Sequence, residues 1–190
     1  MSARTAIVAL AAATALAAAV TGCATEATPT TPAPTTEAMV MDMDLDMGDP
    51  DATPASQVPD AQLSSGEFAR LATAPTDVSP HGEAVLARHA DGTTVTLHLQ
   101  GLPPNTGFMA HVHEGACHEA GGAHYRHDPT GSDVPPNEIH LAFATDANGH
   151  GMMTAENPHV ADERAVSVVV HLTGPDTPKL ACADLDPVSS

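Results

Sequence analysis

From residue 65 onward the chain is cut into short runs of β-branched and apolar residues by Gly, Pro, Asn and Asp, and this punctuation is its strongest constraint. The runs fall near 66–72, 82–89, 93–100, 107–114, 139–145, 150–156, 165–172 and 179–185. Each suits a strand and is short for a helix. Asp91-Gly92 and Asn148-Gly149 read as hairpin turns, and Gly101 to Gly107 closes the third run. No segment carries a capped helical period. The expected fold is all-β, an eight-stranded antiparallel sandwich or barrel. With no Trp, one Tyr and three Phe, Ala and Val must fill much of its core. A long loop at 115–138 and a short one at 173–178 break the rhythm, and function is expected there.

The first 22 residues read as a signal peptide, with Arg4 followed by an apolar stretch from Ala6 to Val20. That stretch is short for a membrane span. Val20-Thr-Gly-Cys23 resembles the lipobox of bacterial lipoproteins. The resemblance implies lipidation at Cys23 and attachment to the extracytoplasmic face of the cell membrane. Secretion with an incidental Cys is the alternative. Residues 23–64, dominated by Thr, Pro, Ala and acidic side chains, are expected to form a disordered tether, and 65–190 the folded domain. Within the tether, Met39-Val-Met-Asp-Met-Asp-Leu-Asp-Met47 alternates thioethers with carboxylates. Thioethers suit Cu(I), but composition favours a solvated acidic linker with incidental methionines.

A net charge of −18 excludes nucleic-acid binding by phosphate neutralisation and fits an exported, soluble domain. Histidines number twelve against six Lys plus Arg, so imidazole is the main potential base and ligand. His111-Val-His113 places two imidazoles on one face of a strand. The Gly121-Gly122 turn can bring His124 back beside them, and His171 ends the apolar run Ala165-Val-Ser-Val-Val-Val-His171. Four nitrogens from two strands and a loop suit Cu(II); a His-rich surface that binds nothing is the plain alternative. Once Cys23 is assigned to lipid, Cys117 and Cys182 are expected to form a disulfide in an oxidising compartment. In the chain-entropy model that bond contributes about 4 kcal/mol. Two free thiols acting as soft ligands are the alternative.

His111-Val-His113, Cys117, Ala120-Gly-Gly-Ala-His-Tyr125, Asp146-Ala-Asn-Gly149, Val168-Val-Val-His171 and Leu180-Ala-Cys182 resemble, in that order, the copper-zinc superoxide dismutase family. The resemblance covers residues 66–185. It implies a Greek-key β-barrel, copper ligands at His111, His113, His124 and His171, and a Cys117–Cys182 disulfide. His124 would be the catalytic bridging imidazole, and Lys179 stands where the family has its active-site Arg. The substrate would be superoxide, and exported copper-only members are similar.

Three departures stand out. The zinc ligands do not map by spacing; His124, His127, His140 and Asp128, with Asp133 nearby, are the substitutes on offer, and a copper-only site is the equal alternative. The loop between His171 and Lys179 is short, which opens the site. Lys for Arg keeps the charge and loses the planar fork. The rival function is an extracytoplasmic copper-binding or buffering protein with little catalysis. His81, His89, His98, His118, His150 and His159 are read as solvated, and Glu114 as an exposed carboxylate or an acceptor for the histidines. No partner beyond superoxide and the lipid anchor is expected, and a monomer is favoured.

Overall fold

The structure is a computed structural model; it describes residues 47–174 and 177–189. Residues 1–22, read as a signal peptide, together with Cys23 and most of the Met-Asp run, lie outside the described residues. Among the described residues there are ten strands: β1 (Gln62–Glu67), β2 (Ala69–Arg70), β3 (His81–His89), β4 (Gly92–Gln100), β5 (Gly107–His113), β6 (His140–Ala144), β7 (Gly151–Asn157), β8 (Ser167–Leu172), β9 (Lys179–Asp184) and β10 (Asp186–Pro187). They make two five-stranded sheets, ordered β10-β1-β3-β4-β7 and β2-β9-β8-β5-β6, with antiparallel pairing throughout.

The expectation of eight strands closing into a barrel is corrected on two counts. The first expected strand is two. Its chain breaks at Phe68, whose ring is buried in the core, and β1 and β2 join different sheets. Gly66 allows β1 to press against β9, because a Cβ there would lie 1.8 Å from the Asp184 carbonyl oxygen. The short β10 adds the tenth strand. Among the described residues no sheet closes on itself. Where closure would join β6 to β7, the two edges are bridged by Met47 to Asp49: Ala142 N–H donates to Met47 O at 2.8 Å, and Asp49 N–H donates to Thr154 O at 2.7 Å.

The core lies between the sheets and follows strand alternation. Leu86, Val95, Leu97 and Leu99 face Phe108, Ala110, Val112, Leu141, Val168 and Val170. Both outer faces are also partly covered, which explains why β4 and β8 are buried on two sides. On one, a 3-10 turn at Ala55–Gln57 buries Thr94, Thr96 and Thr154, with Ala55 N–H donating to Thr96 Oγ1 at 2.9 Å. Residues 47–61 therefore pack on the domain, and the expected tether, drawn to residue 64, ends earlier. Its composition hid this because the contacts are a few backbone hydrogen bonds and one buried Ala. On the other outer face, Leu71, Val169 and Cys182 form a small apolar cluster against which Cys117 and Ala120 pack.

Candidate metal centre

Alternation along β5 puts Phe108, Ala110 and Val112 into the core and Met109, His111 and His113 on the outer face. The neighbouring strands add His140, the Cα partner of His111 on β6, and His171, the Cα partner of Met109 on β8. The loop after β5 then turns back. Ala120, Gly121 and Gly122 all take positive φ, and His124 forms an isolated antiparallel bridge with His113. Gly121 is required at the turn: its φ is 78°, and a Cβ would lie 2.4 Å from Val169 Cγ2 and 3.1 Å from His113 Nδ1. Cys117 and Cys182 are disulfide-bonded, tying this loop to β9. Cys117 N–H also donates to Asp184 Oδ1 at 2.7 Å.

Five imidazoles meet on this face. The His111 ring centroid lies 4.1 Å from that of His124, 4.3 Å from His140, 4.9 Å from His171 and 6.4 Å from His113. His113 and His124 are 4.7 Å apart. Among the described residues, His111, His124 and His140 each offer a ring nitrogen within 4.8 Å of the others.

Hydrogen bonds assign the tautomers. His113 Nδ1 faces the carbonyls of Gly121 (3.2 Å) and Gly122 (3.3 Å), so it carries the proton; its buried Nε2 has no partner. His171 Nδ1–H donates to Leu172 O at 2.8 Å, which leaves Nε2 as a lone pair 3.0 Å from His111 Nδ1. His124 Nδ1–H donates to Glu138 Oε2 at 2.7 Å. Burial drives the pKa of His111, His140 and His171 down, and that of His113 to about 3, so these rings are neutral at physiological pH. Neutral imidazoles whose second nitrogens are fixed by hydrogen bonds are what a copper-type site requires.

Glu138 anchors the far side. Only 1% exposed, its carboxylate accepts from His124 Nδ1, from His140 Nε2 at 3.0 Å and from Arg126 Nε at 2.8 Å. Burial alone raises its pKa, but the bonds from His140, Arg126 and His124 outweigh that, and the carboxyl sits below its ordinary range. Sequence reading missed Glu138. Its only signal was the i, i+2 spacing to His140 at the start of a strand.

Of the four substitutes considered for zinc, His124 and His140 converge and His127 and Asp128 stand apart. His124 and His140 share Glu138, but His127 Nδ1 lies 3.2 Å from the Tyr125 hydroxyl and its ring packs against His159. Asp128 Oδ1 accepts from Thr130 N–H and its hydroxyl on the exposed surface, and neither residue joins the converging donors. The position facing His124 Nδ1 is filled by the Glu138 carboxylate, which is itself paired with the Arg126 guanidinium. Glu114 pairs with Arg164 at 2.6 Å and does not reach the histidines.

Lys179 Nζ donates to Ala120 O at 2.8 Å and Gly122 O at 3.1 Å, the same turn that holds His113 Nδ1. A register shift between Val170 and His171 pairs His171 with Lys179 and brings the ammonium beside the site. Arg126 and Arg164 are paired with carboxylates, whereas Lys179 meets only carbonyls.

Fold and site together define a two-sheet all-β protein with a candidate histidine-rich metal centre on the outer face of one sheet. No protein-family model and no curated protein matches the chain. Among solved structures, it is similar to the Cu/Zn superoxide dismutase from Brucella abortus, with 19% identity and a TM-score of 0.49 over 66% of this chain and 100% of that one. A likeness of this size assigns no activity, and the functional reading rests on the residues.

Proposed function

We propose that the chain is a copper-dependent superoxide dismutase without zinc, tethered through a lipid at Cys23 to the extracytoplasmic face of the cell membrane. The observation that carries this is the convergence of the His111, His113, His124 and His171 rings on one face. Burial keeps the His111, His113 and His171 rings neutral, and the buried His113 Nε2 has no hydrogen-bond partner. Those four rings would hold copper, which when bound supplies a one-electron couple for 2 O₂⁻ + 2 H⁺ → O₂ + H₂O₂.

The chain's own residues do the rest. Glu138 keeps the proton on His124 Nδ1 and orients the ring, as second hydrogen bonds do at metal-ligating histidines. His140 and Arg126 hold that carboxylate in place, and Arg126 offsets its charge. Lys179 supplies the local positive field that an anionic substrate needs near a chain of net charge −18. His124 is about one-third exposed, so a small anion reaches the centre without a lid moving.

The test is a Cu(II) titration of the metal-free chain, followed by a superoxide-consumption assay set against free copper. Tight binding with activity above that background, lost in His113→Ala, supports the reading. Tight binding with no activity selects the copper-buffering rival. No tight binding removes both.

A further inference from the structure

His140 is the imidazole of this face that the four-ring set leaves out. It lies on β6, directly opposite His111 on β5, while His171 comes from β8 on the other side of β5. The His111 ring is therefore flanked from both neighbouring strands, at 4.3 Å by His140 and at 4.9 Å by His171. His124 stacks on it at 4.1 Å. The His140 side chain is buried, and its Nε2–H donates to Glu138 Oε2 at 3.0 Å. Burial keeps the ring neutral, so Nδ1 carries its lone pair. The ring nitrogens that His111, His124 and His140 offer all lie within 4.8 Å of one another, and neither His113 nor His171 belongs to that group. Three nitrogens bound at about 2.0 Å to one ion in their plane stand roughly 3.5 Å apart, so a shift of under about 1 Å at each gathers them.

We infer that His140 gives the centre a second seat for copper, made of His111, His124 and His140 and taken by Cu(I), beside the four-imidazole seat taken by Cu(II). The chemistry of the ion separates the two. Cu(II) favours a square of four nitrogens, which His111, His113, His124 and His171 supply. Cu(I) has a filled d shell and no such preference, and three imidazoles satisfy it. The seats share His111 and His124, so the centre holds one ion at a time. Glu138 serves both, because its Oε2 accepts from His124 and from His140. The inference rests on the copper reading of the centre and adds His140 to it.

The experiment titrates the metal-free full chain with Cu(I) under anaerobic conditions and, separately, with Cu(II), each in competition with a chromophoric chelator. Copper X-ray absorption counts the nitrogen neighbours of each bound form. Wild type is compared with His140→Gln, His140→Leu and His113→Ala. His140→Gln keeps an N–H for Glu138 but has no ring nitrogen, and His140→Leu removes both. Both His140 variants should bind Cu(I) at least roughly tenfold more weakly, since loss of even an outer partner of a metal ligand costs that much. Their Cu(I) form should lose one nitrogen neighbour, while Cu(II) affinity in His140→Gln stays as in wild type. His113→Ala should do the reverse, weakening Cu(II) and sparing Cu(I). Unchanged Cu(I) affinity in both His140 variants would overturn the inference. A loss in His140→Leu that His140→Gln rescues would do so too, because His140 would then act only by positioning Glu138. Equal loss of Cu(I) in His113→Ala and His140→Gln would merge the two seats into one and also overturn it. A wild-type chain that binds neither ion would remove the copper reading itself, and the second seat with it.

Discussion

Glu138 accepts three hydrogen bonds while almost fully buried, and two of its donors belong to the histidine cluster. Replacing it with Gln keeps the shape but introduces donors against His124 and His140 and leaves Arg126 without its carboxylate. Copper affinity in Glu138→Gln should fall roughly 10- to 100-fold, the range for lost partners of metal-ligating histidines. A competitive Cu(II) titration reads this, and unchanged affinity would show that the carboxylate does not orient His124. The imidazoles themselves were legible in the sequence. His111 and His113 share a face by simple alternation, and the glycines flagged the turn that returns His124. Glu138 was not, because its position depends on a loop from 125 to 137 folding back. Asn137 braces that loop through Asp128 and Ser132, and Asn157 holds the Pro136 and Glu138 carbonyls. Such long-range bracing leaves no local pattern.

At the scale of elements, the β1–β2 break and the β8–β9 register shift position the site's support. The sequence pattern over 66–72 reads as one strand because its apolar residues do not reveal that Phe68 turns into the core. Gly66 is the point of contact that the pattern cannot show. Gly66→Ala should destabilise the domain by about 2–4 kcal/mol, as expected for overpacking against backbone. A urea unfolding curve with an unchanged midpoint would contradict the close approach to Asp184. The register shift sets Lys179 beside His171 and on the carbonyls of the turn. Lys179→Glu should slow superoxide consumption at low salt, with the difference from wild type shrinking as ionic strength rises. A rate insensitive to both the substitution and salt would remove Lys179 from substrate attraction.

For the whole molecule, the buried neutral histidines make stability depend on pH. The folded-state pKa of His113 is depressed to about 3, and those of His111, His140 and His171 are depressed by the same cause, burial. The unfolded chain protonates these rings near pH 6.5, so it binds more protons than the folded chain below that pH. Their stabilisation is complete above pH 6.5 and is lost as pH falls toward 3. Each such ring contributes a slope of about 1.4 kcal/mol per pH unit. Metal-free protein should therefore unfold at lower denaturant at pH 5 than at pH 7, and equal midpoints would refute the burial of these rings as neutral bases. The all-β class and antiparallel pairing were legible from turn spacing. The open seam was not, because Met47 to Asp49 fill it from a stretch whose composition reads as linker.

That bridge also decides how the fold responds to mechanical load. Any tension carried by the chain ahead of residue 47 arrives at a clamp fastened to one strand of each sheet, β6 and β7. The two layers are then loaded together, in shear across their shared edge. Loosening the clamp tugs first on the strand that holds His140, so the metal-facing surface feels the strain before the buried interior does.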